Sequence, residues 1–162
     1  MIQISRAVTE YIASHLSAAS GLNATLSVLR RADPHSAAEI RSFLSRNVSA
    51  ELLEKANQAA YPTVLVYCEK LNNTLKEKFR TFSGSARMTV EVRNSDDRLE
   101  VLDRTTLVYT DAVCALLSNM RGSWTENMMY AGGYEVTYSA VKAGGKHFVQ
   151  STKITFDVDV SQ

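Results

Sequence analysis

Three histidines, two cysteines and a stretch rich in lysine and arginine are the residues of this 162-residue chain whose chemistry needs weighing first. His15, His35 and His147 stand far apart, and none sits in an HExxH or GxSxG pattern, so neither a zinc site nor a nucleophile elbow is encoded locally. Cys68 and Cys114 lack metal-ligand spacing and read as small hydrophobes in a reducing compartment. Asp157 and Asp159 would share one strand face and could hold a divalent cation given a third ligand. No further acid lies near them in sequence, so they read as a solvated face. Gly144-Gly145-Lys146 resembles the end of a phosphate loop, but Ala140 replaces the earlier glycine and no Ser or Thr follows the lysine. A hairpin turn explains it better. The expectation is therefore a protein with no catalytic residue, no cofactor and no metal site.

The basic stretch is the remaining chemical signal. Residues 69–93 carry Lys70, Lys76, Lys78, Arg80, Arg87 and Arg93 against Glu69, Glu77 and Glu91. With Phe79 and Phe82 to stack on bases, this could serve a nucleic-acid-binding module, but the interspersed glutamates would repel phosphate. Mixed charge around apolar residues suits a protein contact better, with Leu75, Phe79 and Phe82 as an inter-subunit arm. Lys76, Lys78 and Arg80 would then lie at a rim or a lumen, where positive charge can accompany DNA without reading its sequence.

Whole-chain composition narrows the classes further. Eighteen Lys and Arg against 17 Asp and Glu leave a net charge of +1, so no molecule-wide field draws the chain to nucleic acid or an anionic membrane. The 45% hydrophobic content and the length fit one folded domain. No window approaches a membrane span, and residues 1–20 lack the apolar run of a secretory signal. The Asn-x-Ser/Thr matches at Asn23, Asn47 and Asn72 are accordingly given no weight.

The elements that position these residues follow from periodicity. Residues 1–60 read as a helical extension of the same domain: Ile4, Val8, Ile12 and Leu16 share one face, and Gly21 ends that helix. Asp33-Pro34 breaks the next helical stretch, and Ser36 with Glu39 forms a capping box. Ile40, Phe43, Leu44, Val48, Leu52 and Leu53 then read as a helical stripe, which Tyr61-Pro62 closes. Beyond it, residues 61–162 read as a strand-rich core. Thr63 to Cys68 is a strand buried on both faces, 69–85 an exposed extended arm or sheet edge, and 86–93 a strand with one wet face. Asp97 and Glu100 cap a helix that ends at Gly122. Its Leu102, Tyr109, Val113 and Leu116 are expected against Val90, Val92, Tyr138 and Phe156. Gly144-Gly145 turns a terminal hairpin whose last strand places Ile154, Phe156, Val158 and Val160 together. Gln150 and Thr152, polar in that phase, suggest a bulge or a sheet edge. The expected fold is α+β: an antiparallel or mixed sheet covered by helices on one face, with an N-terminal helical segment.

In pattern, residues 61–162 resemble the tail terminator and related neck (head-tail joining) proteins of long-tailed bacteriophages. The resemblance rests on the apolar strand Pro62-Thr63-Val64-Leu65-Val66-Tyr67, on Ser83-Gly84-Ser85, and on the alternating strand Arg87-Met88-Thr89-Val90-Glu91-Val92. It also uses the long helix after Asp97 and the terminal hairpin. It implies a structural virion protein without catalysis. Such proteins form a hexameric ring that caps the tail tube, joins it to head-tail connector proteins and lets DNA pass. The protein would sit in the tail or neck of the virion, and in host cytoplasm during assembly. The helical segment ahead of Tyr61 is longer than that family pattern, which leaves an adaptor or stopper as related roles.

Overall fold

Alternating and near-continuous apolar runs place three long strands at the centre of one sheet, described here from a computed structural model covering residues 3–32, 38–144 and 147–162. These are β2 (Thr63–Asn73), β3 (Ser83–Asp96) and β8 (His147–Ser161). Both pairings, β2 with β3 and β3 with β8, are antiparallel. The first edge is β1 (Ser42–Leu44), parallel to β2. Three short strands take turns along the other side of β8: β5 (Met128–Tyr130), β6 (Glu135–Tyr138) and β7 (Lys142–Gly144). β4 (Gly122–Thr125) lies outside β5, so the eight strands among the described residues form one mixed sheet.

Three helices cover one face: α1 (Ile4–Ser17), α2 (Leu22–Ala32) and α4 (Leu99–Asn119). The predicted stripe of α1 is buried in full at Ile4, Val8, Ile12 and Leu16. It shares a core with Val64 and Val66 of β2, Met88, Val90 and Val92 of β3, and Ile154, Phe156, Val158 and Val160 of β8. α4 adds Tyr109, Val113 and Leu117 to that core. Each such side chain contributes roughly 1.5–3 kcal/mol through burial. The fold is thus the α+β arrangement expected from the sequence, with helices on one side of a mixed sheet.

Several local expectations are corrected. Ser42–Leu44 is a strand rather than part of a helix, because its backbone pairs with Thr63–Leu65, and the helix after it shrinks to α3 (Ala50–Lys55), capped by Ser49. A three-residue strand with two apolar residues is too short for its period to distinguish strand from helix. α4 starts after Arg98, which donates its backbone N–H to Asp96, and no side chain of Arg98 caps it; Asp97 is not the N-cap. Leu116 is half-buried while Leu117 is fully buried, and Tyr138 is exposed instead of lying beneath α4. β3 has no wet face at its far end, since Thr89, Glu91 and Arg93 are all buried.

Gln150 and Thr152 mark neither bulge nor edge. β8 keeps continuous register with β3, and Thr152 is accommodated under α4 by a 2.8 Å hydroxyl pair with Thr110. Gly122, at φ +123°, turns the chain from α4 into β4, a backbone that L side chains avoid. The Ser36 capping box, the Asp33-Pro34 break, His35 and the Gly145-Lys146 part of the final turn lie outside the described residues. Gly144 and His147, on either side of that turn, are paired.

Candidate functional site

The basic stretch does not run out as an arm. It folds back as the β2–β3 hairpin, and residues 74–82 form its tip. Asn73 is the local cause: its Oδ1 accepts from the backbone N–H of Leu75 at 3.2 Å and of Ser83 at 3.0 Å, while its Nδ2 donates to the Thr81 carbonyl at 3.1 Å. An asparagine side chain thereby replaces the turn hydrogen bonds that a glycine-based hairpin would use. Asn72-Asn73 is the turn signal in the sequence, an asparagine pair without the glycine or proline that marks most turns. Gly84 completes the return, because a Cβ there would lie 1.8 Å from the Asn72 carbonyl oxygen.

The tip is also tied to the end of β8. Thr81 and Phe82 donate backbone N–H groups to the Gln162 carbonyl at 2.7 and 3.0 Å, and Gln162 donates back to Phe82 at 2.8 Å. Ser161 donates its hydroxyl to Glu77 at 2.9 Å. On this clamped base the three proposed arm residues part company. Phe82 is 6% exposed and belongs to the protein's own core, whereas Leu75 is 60% exposed and Phe79 fully exposed. Leu75 and Phe79 both adopt left-handed backbone, at φ 49° and 66°, which non-glycine residues take up at a cost.

The cations divide as well. Lys76 and Lys78 are exposed, and Arg80 stands 3.4 Å from Glu77. Arg87 is shared among Glu69 at 3.4 Å, Glu135 at 3.2 Å and Asp157 at 3.9 Å. Arg93 lies buried with Glu91, donating from Nε and Nη2 at 3.2 and 3.1 Å, and Nη2 also reaches the Val48 carbonyl. Tyr67 donates its hydroxyl to the same carboxylate at 3.3 Å. Burial first, and Glu91 second, hold the Tyr67 phenol protonated far above its ordinary range. This Tyr67–Glu91–Arg93 group was not foreseen. Opposite charges two residues apart on a strand whose neighbour carries tyrosine were its signal.

The residues first weighed for chemistry stay apart. His15 is exposed, donates from Nδ1 to the Tyr11 carbonyl at 2.9 Å and stacks on the Tyr11 ring. His147 is exposed on β8, as are Asp157 and Asp159. Cys68 and Cys114 are half-buried free thiols, each pushed up from its ordinary pKa chiefly by burial. Among the described residues no three His, Cys, Asp or Glu side chains are grouped so as to hold a metal ion, and no described helix is long and apolar enough to cross a membrane. No protein-family model matches the chain, and no curated protein matches it.

Proposed function

We propose that the protein is a structural virion component of a long-tailed bacteriophage, a ring-forming tail terminator or neck protein that caps the tail tube and joins it to the head. The observation that carries this reading is the hairpin tip, where a fully exposed Phe79 and a mostly exposed Leu75 are held in strained backbone on a base clamped by Asn73 and Gln162. Strain kept at an exposed apolar point is the mark of an interaction site, since folding alone gains nothing from it. Copies associating head to tail around a closed axis, as in a hexamer, would bury that point against a different patch on each neighbour. Lys76 and Lys78 then flank the contact at a rim or lumen along which DNA passes. No catalysis, cofactor or membrane enters this role; the outer partners are the tail tube protein and the head-tail connector proteins.

Deleting 72–82 would remove core Phe82 and ladder residues Asn72 and Asn73, so the test uses Leu75→Ser with Phe79→Ser. Light scattering should show the parent as a multiple of 17.9 kDa and the variant as the monomer, with the melting temperature nearly unchanged because both side chains face outward. A variant that keeps the parent's assembly mass removes the tip from the interface. A parent that is monomeric, with salt-dependent affinity for DNA lost in Lys76→Gln with Lys78→Gln, would instead favour the nucleic-acid-binding module. The engagement of Arg80, Arg87 and Arg93 by carboxylates weighs against that alternative.

A further inference from the structure

On the sheet face turned away from α1 and α4, strand register gathers a second set of polar side chains. β3–β8 pairing sets Arg93 opposite Ser151 and Glu91 opposite Lys153. Ser139, just past β6, donates its N–H and hydroxyl to the Ser151 carbonyl, and Lys142 of β7 follows. With residues 47–51 along the other side, these groups line a cleft of about 360 Å³. That volume lies within the roughly 300–1,000 Å³ of small-molecule sites.

Two carboxylates line the cleft, the exposed Glu51 and the buried Glu91, against three cations, Arg93, Lys142 and Lys153. Glu91, the buried carboxylate in its wall, is already met by Arg93 through both oxygens and by Tyr67. Lys153 stands directly across the ladder from Glu91, yet neither it nor Lys142 has an ion-pair partner among the described residues. The Arg93 side chain is 6% exposed, and its Nη1 has no hydrogen-bond partner. A buried guanidinium nitrogen without an acceptor is a deficit that folding leaves open, because such donors are nearly always satisfied. Two uncommitted ammonium groups beside it set the sign of what would fill the cleft.

We propose that this cleft binds a small oxyanion, a carboxylate or phosphate on a compact body, held by Lys142 and Lys153 with Arg93 as a further donor. The site lies toward the opposite end of β3 from the hairpin tip. Lys142 and Lys153 would repel Lys76 and Lys78 of a neighbouring copy's tip, which disfavours that tip as the occupant. The probes are inorganic phosphate and citrate, titrated separately into the full-length protein at constant ionic strength and followed by calorimetry and amide chemical shifts.

At least one should bind saturably, one to one, with shifts centred on Ser139 and Ser151. Lys142→Gln with Lys153→Gln should weaken that binding about tenfold or more while leaving the melting temperature and assembly mass as in the parent. Lys76→Gln with Lys78→Gln, at the far tip, should leave it unaltered. Phosphate alone binding assigns a phosphoryl ligand and citrate alone a carboxylate. Failure of both to saturate, or equal binding by the Lys142 and Lys153 variant, overturns the site whatever the outcome for Leu75 and Phe79.

Discussion

Glu91 and Arg93 are the residues on which the sheet's polar face depends most. Both side chains are 6% exposed, and the carboxylate is the guanidinium's charge partner, so removing one strands the other in a medium that cannot solvate it. Glu91→Ala should cost about 3–5 kcal/mol, read as a loss in denaturant midpoint. Replacing Glu91 and Arg93 together by apolar residues of similar volume should cost much less, which would assign the penalty to the unpaired charge. Two tyrosines make a separate prediction with pH. Tyr61 is pushed up to about 12, first by burial and then by donating its hydroxyl to Glu54 at 2.9 Å; Tyr130 is pushed up to about 12, first by burial. In the unfolded chain both ionise near the ordinary value of 10.0. Folding therefore retains protons that the unfolded state releases. Their stabilising contribution is whole below pH 10 and is lost as pH rises through about 12. The melting temperature should fall across that window, and Tyr130→Phe should flatten the fall; an equally steep slope in that variant would exclude Tyr130 as a source.

At the scale of elements, α4 separates what periodicity reveals from what it leaves open. Leu102, Tyr109 and Val113 are buried as their spacing predicts, but the next inward position is Leu117, with Leu116 at the boundary. Leu117→Ala should cost about 2–5 kcal/mol and Leu116→Ala clearly less, a ranking that thermal melts of the two variants check. Equal losses would mean that the helix is rotated about its axis. Adjacent leucines both fit a 3.6-residue period within its tolerance, so sequence alone does not choose between them. β8 illustrates the same limit in strand form. Its alternation from Ile154 to Val160 was legible because one face is core and the other exposes Asp157 and Asp159, whereas Thr152 reads as polar in the apolar phase until the hydroxyl of Thr110 is brought to it by α4. The hairpin tip was legible in composition but not in shape, because its turn is made by the side chain of Asn73 bonding across ten residues. The cleft was illegible for a related reason: Arg93, Ser139, Lys142 and Lys153 become neighbours only through the register of β3, β6, β7 and β8.

Across the whole molecule, the N-terminal helices are joined to the sheet by shared core and by stacked rings. Tyr11 of α1 stacks on Trp124 of β4 with centroids 4.7 Å apart and planes 13° from parallel. Trp124 meets Tyr130 at 5.7 Å, and Tyr130 meets Phe156 of β8 at 5.1 Å, so aromatic contact runs from α1 across the β4–β5 pair to the central strand. The indole is fixed by donating to the Met120 carbonyl at 2.6 Å. Among the described residues, 1–60 also supply seven of the 24 buried side chains of the core: Ile4, Val8, Ile12, Leu16, Leu22, Leu26 and Ile40. Removing them would expose to water the Val64, Val66 and Met88 side chains with which they share that core. Residues 61–162 alone should therefore show no cooperative thermal transition, and Trp124, stripped of Tyr11, should emit at the red-shifted wavelength of a solvated indole. Tyr11→Ala in the full chain separates the two effects: it should shift the emission part of the way while the transition stays cooperative. If residues 61–162 melt cooperatively with the emission of the full chain, the sheet carries its own core and the helices of residues 1–60 are an addition to it.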